Sequence, residues 1–214
     1  MLARLLTSLD LQLRTSRWAG KVEILQELDN REMSIGAKRN RLVARATGTF
    51  IAFIDDDDEV SDDYVQQICS AIERRPDADC IGFKGVITFR GSHPREFVHS
   101  LQYKDYFSRN HTYYRPPYHL NPIRREIAAR YAFPDVSYSE DIDWALRIRS
   151  DGALRNEEFI EKVIYYYRSR RAWSYQWVLD HTEGVRHRFG IRMANRLPVQ
   201  QAIRDIAKKT GSTN

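Results

Sequence analysis

Gly48-Thr49-Phe50-Ile51-Ala52-Phe53-Ile54-Asp55-Asp56-Asp57-Asp58 is the stretch on which the reading of this chain turns. The run from Phe50 to Ile54 is apolar and short, as in a buried strand, and four carboxylates follow at its carboxyl end. Bunched carboxylates repel one another and stay ionised at neutral pH only where positive charge compensates them. A hard divalent cation such as Mg²⁺ or Mn²⁺ prefers carboxylate oxygen and commonly arrives with phosphate. An acidic solvated turn would explain a polar-flanked run equally well. The buried-strand flank here favours the metal–phosphate reading.

Working outward, Leu2, Leu5, Leu6, Leu9 and Leu13 recur at spacings of three and four, which predicts an amphipathic helix over residues 2–14. Residues 22–28 read as a strand ending at Asp29-Asn30. Ser34 is a plausible N-cap for a helix through Ala46, with Gly48 near its end. Ser61 followed by Asp62 and Asp63 reads as a helix start: a capping hydroxyl, then acids where the helix dipole favours them. Tyr64, Val65, Ile68, Cys69 and Ile72 supply the apolar face of that helix, and residues 80–89 read as the next strand. This alternation predicts an α/β fold with a mostly parallel sheet flanked by helices. Such sheets bind ligands beyond the carboxyl ends of their strands, where Asp29 and the aspartate run both fall.

Residues 91–118 are polar and aromatic with Pro94, Pro116 and Pro117, and read as loop-rich. Helices are expected near residues 124–131 and over residues 137–149, the latter stopped by Gly152. A strand is expected over residues 162–167 and a helix over residues 173–189.

A chain of 214 residues suits one domain with a small extension: residues 1–168, then a basic helical segment, residues 169–214. No long apolar run opens the sequence, so neither a signal peptide nor a membrane span is expected. Cys69 and Cys80 sit in expected helix and strand interiors, which favours free thiols and a cytoplasmic protein. The net charge of +5 is uneven, since ten Lys/Arg against three Asp/Glu lie from Arg168 onward. That tail suits an anionic acceptor, nucleic acid or peripheral contact with a membrane surface, and equally a solvated helical face.

Three constellations carry chemistry. Along an extended strand Asp55 and Asp57 point one way, Asp56 and Asp58 the other. An Asp-x-Asp pair on one face suits a metal that neutralises a diphosphate leaving group. Ser139-Glu140-Asp141-Ile142-Asp143-Trp144 stands at a helix start, where acids cap and complement the dipole, or where Asp141 accepts a proton from a substrate hydroxyl. Ser34-Ile35-Gly36-Ala37-Lys38-Arg39-Asn40 places small residues and two cations at a helix N-terminus, a phosphate-binding arrangement or a plain basic turn.

In this order, Gly36-Ala37-Lys38-Arg39-Asn40, Ala46-x-Gly48, the apolar strand and Asp55-Asp56-Asp57-Asp58 resemble the signature of family 2 glycosyltransferases of the GT-A fold. Glu140-Asp141 is similar to the Glu-Asp pair of that family, and the resemblance covers about residues 1–168. It implies a nucleotide-sugar donor, Mn²⁺ or Mg²⁺, and inversion at the anomeric carbon. It also implies that Asp29 contacts the nucleobase, that Lys38 or Arg39 contacts the nucleotide, and that Asp55, beside Asp56, reaches the ribose. By the same carry-over Asp57 with Asp58 holds metal and diphosphate, and Asp141, with Glu140 beside it, deprotonates the acceptor. The family usually opens with an apolar strand carrying a Pro-x-Tyr-Asn-like turn. This sequence starts within the helix that follows it, so that first strand is expected to be missing.

The acceptor implied is a saccharide or glycoconjugate, with a polyanion such as lipid-linked phosphate or modified DNA as the alternative. Tyr103, Tyr106, Phe107, Tyr113, Tyr114 and Tyr118 suit sugar stacking or a small hydrophobic cluster, and His181 and His187 are candidate extra metal ligands. Two other functions fit the same residues: a non-catalytic nucleotide- and metal-binding remnant, and a nucleotidyl- or phosphotransferase, which leaves Glu140-Asp141 without a role.

Overall fold

The leucine spacing at the start of the chain does form a helix, α1 (Leu2–Arg14), which buries Leu5 and Leu9. The computed structural model describes residues 2–30 and 32–169. The expected helix over residues 173–189, the basic extension, His181 and His187 lie outside the described residues. After α1 come α2 (Ile35–Arg45), β1 (Phe50–Ile51), β2 (Glu59–Val60), α3 (Tyr64–Arg74), β3 (Cys80–Phe89) and β4 (Ser92–His99). Then follow β5 (Phe107–Arg109), β6 (Thr112–Arg115), β7 (Ile123–Arg124), α4 (Arg125–Ala128), α5 (Glu140–Ser150) and β8 (Glu157–Ser169).

The architecture is α/β, as expected, but strand directions are mixed. β3 is the central strand. Parallel β8 lies along one of its edges; antiparallel β7, at Cys80, and antiparallel β4, from Phe83 on, share the other. β6 runs parallel to β4, while β1–β7, β2–β8 and β5–β6 are antiparallel pairs. Part of the antiparallel share comes from residues 91–118, where β4, β5 and β6 stand in place of the expected loop. Arg90-Gly91 and Asn110-His111 turn through positive φ (51°, 75°, 52° and 63°), the backbone hand that closes tight hairpins. The β3–β4 hairpin returns the chain along the strand it has just left. Aromatic residues of this region pack together, with Tyr103, Phe107 and Tyr114 ring centroids 4.9–5.6 Å apart, so they form a cluster.

Residues 22–28 join no strand ladder among the described residues, contrary to the strand expected there. Side chains hold the segment in place instead. The Glu23 carboxylate accepts the N–H groups of Thr47 and Gly48 and the Thr47 hydroxyl, and Arg41 and Arg45 of α2 reach Glu27. β1 is correspondingly short, with β7 on one edge only among the described residues. Ser61 does not cap α3; its hydroxyl donates to Asp63, the residue in the cap position.

The core lies on both faces of the sheet. α3 packs against β8 and α1 against α3, burying Val65, Ile68 and Ala71 with Ile81 and Ile164. On the other flank Trp144 of α5 stacks on Phe133 at 4.7 Å and donates its indole N–H to the Tyr131 carbonyl at 2.7 Å. Cys69 and Cys80 are free thiols. No helix among the described residues is long and apolar enough to cross a membrane.

Candidate active site

Gly36 explains how α2 meets the segment that leads into α5. A side chain there would put its Cβ 1.9 Å from the Pro134 carbonyl oxygen, so only glycine permits the contact. Asn40, one turn further along α2, exchanges two hydrogen bonds with the Phe133 backbone, donating at 2.8 Å and accepting at 2.7 Å. Together these residues bring the start of α5 onto α2.

The same contact corrects one expectation. The N–H groups at the head of α2 are occupied by the protein. Ile35 donates to the Ser137 hydroxyl, Gly36 to the Val136 carbonyl, Ala37 to the Ser34 hydroxyl and Lys38 to the Ser34 carbonyl. A helix terminus binds phosphate through unsatisfied N–H groups, and here they are satisfied. The Ser34 cap itself forms as expected.

Arg39 then points inward. Its side chain is only 8% exposed; Nη1 donates to Glu140 Oε1 at 2.5 Å and Nη2 to Asp55 Oδ1 at 2.9 Å. Burial works against the guanidinium charge, but Asp55, Asp141 and Glu140 outweigh it and hold Arg39 firmly protonated. Burial likewise tends to raise the Asp55 carboxyl, yet the neighbouring His119 ring and Arg39 hold it well below the usual carboxylate range. Glu140 is shifted the other way: burial, helped by the adjacent Asp141, raises its carboxyl above the ordinary value despite Arg39.

His119 completes the cluster, and sequence reasoning missed it. The ring is 3% exposed, with Nδ1 3.3 Å from Asp141 Oδ2 and Nε2 3.6 Å from Asp55 Oδ2. His119 stands four residues before β7, whose pairing with β1 brings it beside the segment that runs on to Asp55. Asp141 also accepts the Ile142 N–H at 2.9 Å, so part of the ordinary helix-start reading holds. No side chain caps this helix; Ser139 sits at φ 64° and turns the chain into it.

The remaining acids divide. Asp29 is nearly buried, paired with Lys38, and accepts the Met33 N–H at 2.7 Å. Asp56 is exposed and Asp57 half-buried. Asp58 is 2% exposed and is spent on the sheet, where its two oxygens accept the Tyr165 hydroxyl at 2.7 Å and the Arg168 N–H at 2.8 Å. Burial, with Asp55 and Asp57 close by, pushes its carboxyl up to about 7. Among the described residues no group of three or more His, Cys, Asp or Glu converges as a self-contained metal site. That donor set still fits a cation of the Mg²⁺ or Mn²⁺ type, which commonly takes one or two protein carboxylates and completes its shell with substrate phosphate and water.

The acids that follow β1 thus face the Glu140–Asp141 helix start across buried Arg39. The glycosyl transferase family 2 model matches residues 20–132, just over half of the chain, and this protein belongs to that family. Among solved structures, the chain is similar to S. aureus TarS residues 1–349 in complex with UDP-GlcNAc. The TM-score is 0.53 at 15% identity, covering 80% of this chain and 56% of that one. The same TarS fragment in complex with UDP gives a TM-score of 0.53 at 16% identity, covering 78% and 56%. At this identity the likeness is one of fold, and the chain spans a little over half the length of those structures. No curated protein matches it in sequence.

Proposed function

We propose that the chain transfers a sugar from a nucleoside-diphosphate donor to an acceptor hydroxyl, with inversion at the anomeric carbon. The observation that carries this reading is the meeting of Asp55, Glu140 and Asp141, distant in sequence, around Arg39 and His119. In this reading Asp55, with Asp56 beside it, faces the ribose of the donor and the Asp29–Lys38 pair borders the nucleobase. Arg39 acts as an organiser: buried between two carboxylates, it sets where Asp55 and Glu140 stand and leaves the nucleotide to other groups. Asp141, about a quarter exposed, takes the acceptor proton as its oxygen attacks the anomeric carbon. The bond to the donor's diphosphate breaks on the opposite face.

In this reading Asp57, with Asp58 beside it, would hold a divalent cation together with the donor's phosphates. Such a cation, when bound, neutralises charge on the departing diphosphate. The UDP and UDP-GlcNAc of the TarS structures support a uridine nucleotide sugar as the first donor to try. A saccharide or glycoconjugate is the acceptor class proposed, with a polyanionic acceptor facing the basic residues after 169 as the variant.

The test is turnover of a panel of nucleotide sugars with Mn²⁺, Mg²⁺ or chelator. Wild-type turnover that Asp57→Asn and Asp141→Asn abolish, and that chelation suppresses, supports the reading. Turnover indifferent to both substitutions overturns the roles. A non-catalytic nucleotide-binding remnant is the second reading, favoured by residues 22–28 standing outside the sheet. It predicts calorimetric binding of UDP with no turnover of any donor. A phosphotransferase would leave the Glu140–Asp141 end of the cluster idle, and it predicts phosphate or pyrophosphate release with no sugar transferred.

A further inference from the structure

We propose that His119 is a positioning residue that clamps the base Asp141 against the donor-side carboxylate Asp55, so that one imidazole spans both halves of the reaction. The inference rests on the glycosyl-transfer reading above and adds to it a residue and a task.

Three observations carry it. One ring faces two carboxylates from different elements, with Nδ1 at 3.3 Å from Asp141 and Nε2 at 3.6 Å from Asp55. Neither ring nitrogen has a hydrogen-bond partner of good geometry, although both are buried. Those separations lie at or just beyond the outer edge of a hydrogen bond, the loose fit expected of a site that tightens around its substrate. Finally, the ring has little freedom. The His119 carbonyl accepts the Phe53 N–H at 3.2 Å, which ties it to the strand that delivers Asp55. Asn121 locks the turn, since its Oδ1 accepts the Tyr118 N–H at 3.1 Å and its Nδ2 donates to the Ile81 carbonyl at 2.9 Å. Tyr118 stands edge-on to the ring at 4.5 Å.

A buried histidine can also serve only as packing. Packing requires the ring's shape, whereas a clamp requires its nitrogens. Asp55 has a second, closer partner in Arg39, so loss of the imidazole leaves the donor side held while Asp141 loses a buried neighbour. The defect should therefore fall on kcat more than on donor KM.

The experiment compares wild type with His119→Phe, His119→Gln and His119→Ala, each checked for folding by circular dichroism and thermal midpoint. Under the proposal His119→Phe and His119→Ala lower kcat by about 10- to 100-fold, the scale of a base displaced by about 1 Å, with a much smaller change in donor KM. His119→Gln, which keeps an N–H donor, recovers part of the loss. A folded His119→Phe with wild-type kcat overturns the proposal in favour of packing. Long-range ¹H–¹⁵N spectra of the ring give a readout independent of turnover: Asp141→Asn should move the Nδ1 signal and Asp55→Asn the Nε2 signal. Unmoved signals in both variants overturn the clamp even if the enzyme is active. Absence of wild-type turnover with every donor overturns the function instead, and the ring shifts then still decide the clamp.

Discussion

Arg39→Met should be among the most damaging single changes available in this fold. Methionine keeps the length and apolar stem of the side chain and removes the charge between Asp55 and Glu140. Glu140 is only 5% exposed and is left without the guanidinium at 2.5 Å, while Asp55, a third exposed, recovers some solvation and counts for less. Breaking a buried pair by removing one partner costs about 3–5 kcal/mol, because the surviving charge stays buried. For a chain of this size that is a fall in thermal midpoint of about 6–20 °C. The double variant Arg39→Met/Glu140→Gln should recover part of the loss, since a neutral amide replaces the stranded carboxylate. Arg39→Lys should fall between, keeping the charge but losing the fork that reaches two acids at once. Urea unfolding followed by circular dichroism and by the fluorescence of buried Trp144 measures all four proteins. A loss for Arg39→Met no larger than the about 1 kcal/mol of an exposed ion pair would refute the reasoning, as would a double variant no better than the single one.

Further outcomes follow from the same geometry. Gly36→Ala should destabilise by more than the about 1–3 kcal/mol typical of an overpacked core and lower activity with it, because its methyl would meet the Pro134 backbone; a thermal melt and a turnover assay check this. Asn40→Ala strands the N–H and carbonyl of Phe133 and should cost about 1–3 kcal/mol for each group left buried, read as a shift in urea midpoint. Glu140 supplies a pH dependence. Its folded carboxyl lies above the ordinary value, so the folded chain keeps a proton that the unfolded chain has already lost. Stability should therefore fall as pH rises from about 4.3 through the raised value, and Glu140→Gln should flatten that slope in urea midpoints measured across the range.

Local pattern carried much of this protein. The leucine spacing of α1, the Ser34 cap, the span of β3 and the carboxylates after β1 are properties of neighbouring residues, because caps and periodicity act over a turn or two. The acids of the candidate site were legible for the same reason, since charge bunched at a strand end shows in the sequence itself. What each acid does was not. Asp58 and Asp57 are adjacent and chemically identical, yet only the arrival of Tyr165 and Arg168 from β8 ties Asp58 into the sheet. Arg39 reads as a nucleotide contact until the turn at Ser139 delivers Glu140 to it, and the head of α2 reads as a phosphate site until residues 134–137 cover it. The strand expected at residues 22–28 depended on a neighbour to complete its ladder, a condition no local signal encodes. His119 was invisible because a lone histidine means nothing until two carboxylates from elsewhere in the chain are set on either side of it. Residue chemistry thus determined which groups this protein brings to its site, and long-range packing decided which of them face a ligand and which are consumed in holding the others.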